Sequence, residues 1–164
     1  MPETIYYSRV DSLVGPLLLA VSERGLVALE FGRGAVAAGW VESPEKTGPY
    51  ARQLEEYFAG RRRRFDLPLD LRGTDFQKRC WQELLKIPYG ETRSYADIAR
   101  AIGNPSAVRA VGLANGQNPI AIMVPCHRVI GSDGSLTGYG GGLETKRKLL
   151  ELEGALRGSL AAPA

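Results

Sequence analysis

The spacing of apolar residues changes near Arg72–Gly73, and this change constrains the fold more than any other feature of the chain. Before it, three apolar runs at residues 5–10, 17–21 and 26–31 are separated by turn-forming residues that include glycine. After it, apolar residues recur every three or four positions, as on one face of a helix. The sequence therefore predicts an α+β protein with domains at residues 1–72 and 73–164.

The first domain is predicted to be a small antiparallel β-sheet with one helix. The three apolar runs are expected to form a meander. Residues 32–48 are rich in glycine and predict an irregular or mobile loop. A helix is then expected from Pro49 to Ala59, because proline suits a first helical turn and Gly60 suits its end. The alternation of residues 65–69 predicts a last strand.

Capping signatures predict where two helices of the second domain begin. Thr74 is followed three residues later by Gln77, and Ser94 is followed at the same distance by Asp97. In each pair the first side chain can accept from the backbone of the helix, and the second can reach back to the cap. Cys80, on the first of these helices, has apolar residues four positions to either side and is predicted to be a small buried hydrophobe.

The second of these helices is the first helix of a helix-turn-helix pattern. Gly103 ends that helix, and Asn104 is predicted to cap the next one, with Pro105 at its first position. A final helix is expected over about residues 143–153. The second domain is thus predicted to be mainly helical and winged-helix-like. The pattern favours DNA binding, although many such folds bind nothing.

The second helix of this motif is unusually thin, and Arg109 is its only long cation. Its small residues are Ala107, Ala110, Gly112 and Ala114. A thin helix can approach a groove closely, so Arg109 either contacts DNA or forms a surface ion pair beside tightly packed helices. Tyr95 has two interpretations as well, as a hydrogen-bond donor to DNA or as a core tyrosine.

Composition narrows the function classes. The net charge of +3 and the isoelectric point near 9.0 favour anionic partners only weakly. The arginine run at residues 61–64 either contacts phosphate or forms a solvated face. One histidine and two distant cysteines do not make a zinc site, and no phosphate-binding glycine signature is present. No metal or cofactor is therefore expected.

Location is also constrained. No stretch of 18 apolar residues predicts a membrane span, and the first residues do not resemble a secretory signal. Two cysteines are too few for a disulfide scaffold. The sequence therefore predicts a cytoplasmic protein with no membrane partner.

The candidate nucleophile is Cys126, which follows an extended apolar run from Ile120 to Val124 and precedes the only histidine, His127. A cysteine reacts as thiolate and needs a base nearby. Neighbours in an extended segment point in opposite directions, so a bridging water or a local turn is required. Glu153 falls on the apolar face of the final helix, where a carboxylate needs a partner. We hypothesise a relay of Cys126, water, His127 and Glu153; the alternative is a half-exposed cysteine beside a structural histidine.

Over residues 74–154 the chain resembles the O6-alkylguanine-DNA alkyltransferase family. The resemblance rests on collinear motifs: IPYGETRSY at 87–95, RAVG at 109–112, ANGQNP at 114–119, PCHRVI at 125–130, TGYGGGL at 137–143 and LLELEG at 149–154. The first half resembles the family only in its β-rich pattern and length. Some members carry a zinc whose ligands are missing here, and cysteine-free relatives bind lesions without repairing them.

The resemblance implies a role for each matching residue. Cys126 would accept the alkyl group, His127 would act as base through a water, and Glu153 would hold it. Asn118 would brace the turn before the cysteine, and Tyr95 would rotate a phosphate and donate to the guanine. The guanine pocket would be lined by Pro125, Val129, Tyr139 and Gly140.

DNA would be the partner under the same resemblance. The helix-turn-helix would enter the minor groove of double-stranded DNA, and Arg109 would replace the flipped nucleotide. The DNA-facing residues would be Ser94, Tyr95, Ala107, Arg109, Ala110 and Gly112. The implied reaction is a single, irreversible transfer from O6-alkylguanine, with O4-alkylthymine as a further substrate, by a monomer whose cooperativity on DNA is left open.

Two other function classes compete with this one. A lesion sensor or winged-helix regulator would bind damaged DNA and leave the cysteine silent. A Cys-His hydrolase would turn over repeatedly on an ester or peptide, but the chain has no peptide-binding signature.

Overall fold

A computed structural model describes residues 3–32 and 34–156. These residues form two compact units. The first contains the described residues up to Arg72 together with Pro119–Ala121, and the second contains the remainder. The predicted second domain ends at residue 164, so its last eight residues, 157–164, lie outside the described part. The α+β class is confirmed, with a small sheet in the first unit and helices in the second.

Among its described residues, the first unit contains one sheet of four strands. The predicted meander is confirmed: β1 (Tyr6–Val10), β2 (Leu17–Val21) and β3 (Leu26–Phe31) pair antiparallel in sequence order. Every residue of the central strand β2 is buried. The fourth strand, β4 (Val41–Glu42), pairs parallel with β1, so part of the expected irregular loop is ordered in the sheet.

The helix of the first unit, α1 (Pro44–Phe58), begins five residues before the predicted start at Pro49. Ser43 caps it by accepting from the backbone N–H of Lys46, and Pro44 occupies the first helical position. The prediction was wrong because two prolines compete as helix starts and only the first follows a capping side chain. Pro49 lies inside the helix.

The strand predicted at residues 65–69 was also wrong. Only an isolated bridge joins Leu69 to Leu26, with hydrogen bonds from Leu26 N–H to the Pro68 carbonyl (3.1 Å) and from Asp70 N–H to the Leu26 carbonyl (2.7 Å). Pro68 has no N–H with which to continue a ladder. Pro119–Ala121 also pairs with this sheet, through Leu29 N–H to Pro119 O (2.9 Å) and Ala121 N–H to Leu29 O (3.0 Å).

The second unit contains four helices among its described residues: α2 (Asp75–Leu84), α3 (Tyr95–Ala101), α4 (Val108–Gly116) and α5 (Leu143–Leu152). Both predicted capping boxes are confirmed, because Thr74 with Gln77 and Ser94 with Asp97 make the reciprocal hydrogen bonds. Two short strands, β5 (Arg93–Ser94) and β6 (Val129–Ile130), pair parallel beside them. Cys80 is buried in α2, as predicted.

The start of α4 differs from the prediction. Its cap is Ala107, with no side-chain hydrogen bond, rather than Asn104. Residues 104–107 close a separate turn, in which Ala107 N–H donates to the Asn104 carbonyl (3.0 Å) and the Ser106 hydroxyl donates to the Asn104 side chain (3.1 Å). Because the Asn104 side chain is occupied in this turn, the helix begins after it.

Candidate active site

The segment that carries Cys126 is tightly turned rather than extended. The predicted extended run from Ile120 to Val124 was wrong, because Ile122 adopts a left-handed backbone with φ of 71°. Such a conformation is strained for a β-branched residue. The Asn118 side chain donates to the Val124 carbonyl (2.8 Å) and thereby closes this turn.

Cys126, His127 and Arg128 form one turn of 3-10 helix, closed by Arg128 N–H donating to the Pro125 carbonyl (3.0 Å). A local turn is one of the two arrangements that the sequence required. All three side chains are buried, and Cys126 is only 5% exposed. Asn115 on α4 donates weakly to the Cys126 carbonyl (3.4 Å). The half-exposed cysteine of the alternative interpretation is therefore not observed.

The structure brings His127 and Glu153 together. Nε2 of His127 lies 2.8 Å from Oε2 of Glu153, the C-cap of α5. Arg128, which the sequence reasoning missed, donates to the same carboxylate from Nε (2.8 Å) and Nη2 (3.0 Å) and to the Ile87 carbonyl from Nη1 (2.7 Å). Arg128 thus balances the charge of a carboxylate that would otherwise be buried beside a neutral ring.

These contacts set the protonation states. Burial alone would raise the pKa of Glu153, but the hydrogen bonds and charges of His127 and Arg128 lower that pKa to about 2. Burial lowers the pKa of His127, and the contact with Glu153 only partly opposes this. A neutral His127 donates from Nε2 to the carboxylate, which leaves the lone pair on Nδ1. That Nδ1 atom is buried and has no hydrogen-bond partner among the described residues.

The thiol of Cys126 rests in its protonated form. Burial raises its pKa, and this outweighs the opposing effects of Asn118, the charge of Lys146 and the hydroxyl of Tyr139. A buried thiol of this kind needs a base to become a nucleophile. The unoccupied lone pair of His127 meets that requirement.

Lys146 is a second charged residue that the sequence reasoning missed. Its side chain is fully buried on α5, and Nζ donates to the carbonyl of Thr137 (2.9 Å). Nζ also lies 5.9 Å from the ring centres of both Tyr95 and Tyr139. Burial lowers the pKa of Lys146 to about 8, and the charge of Cys126 only partly opposes this shift. Lys146 precedes Leu149 by three residues, and Leu149 precedes Glu153 by four, so all three lie on one face of the helix. This spacing is the sequence signal from which Lys146 could have been predicted to be buried.

The remaining predicted pocket residues lie around this cysteine turn and the loop that follows it. Pro125 and Val129 are buried on either side of the turn, Tyr139 is half-buried and Gly140 is exposed. Tyr95 begins α3, and its phenolic oxygen accepts a hydrogen bond from the Thr137 hydroxyl (3.1 Å). Lys146 therefore lies close to both Tyr95 and Tyr139, to which the sequence analysis gave separate roles.

The predicted DNA-facing residues lie on α3 and α4. Arg109 and Ala110 are exposed in the first turn of α4, and Ala107 caps that helix. Within the described part of the chain, Arg109 makes no ion pair or hydrogen bond, which disfavours the surface ion-pair interpretation. Gly112 faces the ring of Tyr95, because a Cβ placed there would lie 3.9 Å from the ring. Ser94 is held in the capping box of α3.

The arginine run of the first unit is partly neutralised. Arg62 donates to Glu56 (2.8 Å) and to the carbonyl of Arg64 (2.8 Å), while Arg61 and Arg64 are exposed. Within residues 3–32 and 34–156, no group of three or more His, Cys, Asp or Glu side chains is arranged to hold a metal ion. None of the helices described is long and apolar enough to cross a membrane.

The fold and the site define a class: an α+β protein that joins a helix-turn-helix to an enclosed cysteine and an oriented histidine–carboxylate pair. The family model for the DNA-binding domain of 6-O-methylguanine DNA methyltransferase matches residues 75–155, and the model for the ribonuclease-like domain of the same family matches residues 5–71. The chain belongs to the 6-O-methylguanine DNA methyltransferase family, as its resemblance indicated.

Individual relatives agree with this assignment. A methylated-DNA–protein-cysteine methyltransferase of Methanosarcina barkeri is 55% identical, over 91% of this chain and 97% of that protein. The protein of the same description from Mycobacterium tuberculosis is 56% identical over 91% and 92%. A crystal structure of Mycobacterium tuberculosis OGT in complex with DNA is 55% identical, with a TM-score of 0.87 over 97% of this chain and 96% of that one.

Proposed function

We propose that this protein repairs DNA by moving the alkyl group of O6-alkylguanine onto Sγ of its own Cys126. One observation carries the proposal: a buried thiol is adjacent in sequence to a neutral histidine whose Nδ1 lone pair is unoccupied and whose Nε2 is fixed by Glu153. The relatives described as methylated-DNA–protein-cysteine methyltransferases support it over nearly the whole chain.

Activation of the thiol uses these three side chains. His127 removes the Cys126 proton through a bridging water, because neighbouring side chains on one 3-10 turn do not face each other directly. Glu153 remains ionised and stabilises the imidazolium that forms, as an orienting carboxylate does in a nucleophile–base–acid set. Lys146 places a positive charge near the thiolate without forming a direct bond to it.

Transfer is a displacement at the alkyl carbon. The Sγ–C bond forms while the C–O6 bond breaks, and the electron pair of the broken bond stays on the guanine. The Tyr95 hydroxyl donates a hydrogen bond to that leaving base, which stabilises the charge that develops on it. Pro125, Val129, Tyr139 and Gly140 line the pocket for the base. The thioether product is stable to a neutral imidazole, so each molecule acts once.

The lesion must leave the base stack to reach a buried thiol. We assign this step to α4, whose exposed Arg109 is flanked by the small residues Ala107, Ala110 and Gly112. Small side chains let the helix approach the narrow minor groove, and the unpaired guanidinium fills the space of the extruded nucleotide. Ser94 and Tyr95, at the start of α3, contact the adjacent phosphates. Double-stranded DNA is thus the partner, and the protein acts as a monomer.

The test is the mass of the intact protein after incubation with duplex DNA that contains O6-methylguanine. We expect the wild type to gain one methylene unit and Cys126→Ser to gain nothing. Cys80→Ser is the matched control and should still be methylated, because Cys80 belongs to the core of α2. An unchanged mass of the wild type would reject the proposal. The same assay with O4-methylthymine measures the range of lesions.

The two competing functions give different results in this assay. A lesion sensor would bind the damaged duplex without any covalent change. A Cys-His hydrolase would keep an unmodified Cys126 and turn over repeatedly on an ester. Both cysteines are free, and a free nucleophilic thiol needs a reducing compartment, so we place the reaction in the cytoplasm.

A further inference from the structure

Thr137 makes two hydrogen bonds that connect separate parts of the active site. Its side-chain hydroxyl donates to the phenolic oxygen of Tyr95 (3.1 Å), and its backbone carbonyl accepts from Nζ of Lys146 (2.9 Å). Within the part of the chain that the structure describes, these are the only hydrogen bonds of Thr137. The residue thus stands between the first residue of α3 and the buried cation of α5.

Lys146 fixes the backbone of Thr137. The residue lies between two hydrogen-bonded turns, one closed by Gly131 N–H to Ser135 O (2.9 Å) and the next by Gly142 N–H to Tyr139 O (2.9 Å). Neither turn holds the carbonyl of Thr137 itself. The fully buried ammonium of Lys146 does, and a buried cation gives a stronger hydrogen bond to a carbonyl than a neutral donor would. The Thr137 side chain is therefore presented to Tyr95 from an anchored backbone.

The direction of the hydroxyl hydrogen bond decides what Tyr95 can do. A phenol has one proton, and a phenolic oxygen can also accept hydrogen bonds. When Thr137 donates to this oxygen, the proton of Tyr95 remains available for another acceptor. Hydrogen bonds in a chain polarise one another, so a phenol that accepts from Thr137 is a better donor to that acceptor.

We propose that Thr137 is a positioning residue for alkyl transfer, whose hydroxyl holds the phenolic oxygen of Tyr95 so that the Tyr95 proton points to the leaving guanine. This inference rests on the proposed function, in which Tyr95 donates to the base. Thr137 does not touch the reacting atoms and acts only through Tyr95.

Two substitutions isolate the hydroxyl. Thr137→Val keeps the shape of the side chain and the carbonyl that binds Lys146, but it removes the donor. Thr137→Ser keeps the donor and removes only a methyl group. In single-turnover transfer from O6-methylguanine duplex at saturating protein, we expect Thr137→Val to be slower by about fivefold, the rate equivalent of one neutral hydrogen bond. Thr137→Ser should stay within about twofold of wild type.

Two further readouts separate positioning from a loss of structure. The far-UV circular dichroism spectrum and the rate of Cys126 alkylation by iodoacetamide should match the wild type in both variants, because neither depends on the hydroxyl of Tyr95. The decisive measurement is the double variant Tyr95→Phe with Thr137→Val. When two residues act through one shared group, the effects of substituting them are not additive. The double variant should therefore transfer the alkyl group at the same rate as Tyr95→Phe alone.

The outcomes distinguish this inference from the function on which it rests. A wild-type protein that gains no mass from damaged DNA overturns both. A methylated wild type together with a Thr137→Val variant of unchanged rate overturns the positioning role alone. A full fivefold penalty for Thr137→Val in the Tyr95→Phe background would also overturn it, since Thr137 would then act on something other than the phenol.

Discussion

Nε2 of His127 lies 2.8 Å from Oε2 of Glu153, and both side chains are completely buried. The contact joins a 3-10 turn to the C-cap of α5, 26 residues later in the chain. Because Arg128 reaches the same carboxylate, the glutamate serves two partners at once. The ionised carboxylate of Glu153 is consequently needed to stabilise the fold as well as to act in the proposed relay.

Glu153→Gln is expected to destabilise the protein. It leaves the buried guanidinium of Arg128 without its carboxylate, and breaking such a pair costs about 3–5 kcal/mol. The lowering of the Glu153 pKa from 4.5 to about 2 corresponds to a contribution on the order of 3 kcal/mol at neutral pH. Urea unfolding at pH 7 measures this difference.

The loss of stability in Glu153→Gln should depend on pH. The pKa of Glu153 is lower in the folded state, so its contribution is complete above pH 4.5 and disappears as the pH falls toward 2. The difference between wild type and Glu153→Gln should therefore shrink in acid. Glu151→Gln is the control, because its pair with Arg147 is exposed and screened by solvent and therefore contributes little to stability. Equal losses for the two variants would contradict the buried network.

The rate of transfer should fall in acid with a midpoint below pH 6.5. Burial lowers the pKa of His127 from that value, so the neutral base persists to a more acidic pH than that of an ordinary histidine. His127→Gln should slow transfer by about 100-fold or more, the usual contribution of a general base, and should abolish this acid limb. Single-turnover rates from pH 5 to 8 test both points.

The chain has one histidine, which makes the assignment of the acid limb unambiguous. An acid limb with the same midpoint in His127→Gln would assign the titration to another group and remove His127 from the mechanism. Affinity for undamaged duplex provides the control, since a side chain with no exposed surface has no contact to lose there.

A second limb is expected on the alkaline side, near pH 8. The pKa of Lys146 is lowered to about 8 by burial, so its ammonium is lost as the pH rises through that value. Losing the charge beside the Cys126 thiolate should slow transfer. Lys146→Met should be slower than wild type by about tenfold at pH 7, as for a charged hydrogen-bonding group, and its rate should not decline between pH 7.5 and 9.

Lys148→Met is the matched control for this experiment. It removes the same charge from the same helix, but Lys148 is exposed. We expect its pH profile to follow the wild type. If Lys146→Met kept the alkaline limb, the titrating group would have to lie elsewhere.

Arg109→Ala should separate DNA handling from chemistry. Arg109 is exposed on α4 and lies outside the group of Cys126, His127 and Glu153, so we expect transfer from duplex DNA to slow by about tenfold or more while reaction with free O6-methylguanine is nearly unchanged. Arg147→Ala removes an arginine that is paired with Glu144 and Glu151 on α5, and it serves as the control. Equal slowing on both substrates would refute the proposed role in nucleotide extrusion.

Local rules predicted the parts of the fold that depend on neighbouring residues. The Thr74–Gln77 and Ser94–Asp97 boxes formed as expected because their hydrogen bonds close within one helical turn. The same rules failed where two starts compete: Ser43 with Pro44 prevailed over Pro49, and Ala107 replaced Asn104 as a cap. The outcome depends on which side chain is available as a cap: Ser43 accepts from Lys46 N–H, whereas the Asn104 side chain accepts from Ser106.

The site divides in the same way. Helical periodicity placed Glu153 on an apolar face, and the need of a buried carboxylate for a partner indicated His127. Lys146 is also a charged residue on the apolar face of this helix and needs a partner for the same reason, but no motif drew attention to it. Arg128 and Thr137 gave no local signal, because their roles come from contacts with residues 25 and 42 positions away, Glu153 and Tyr95.

Pro119–Ala121 belongs to the first unit, although the chain on both sides of it belongs to the second. A single cut at residue 72 therefore does not release two intact fragments. The N-terminal fragment would lack both backbone partners of Leu29, and the C-terminal fragment would keep Pro119 and Ala121 without their hydrogen bonds to Leu29. A junction at residue 72 is therefore not a boundary between two complete units, because the first unit is assembled from two separate stretches of the chain.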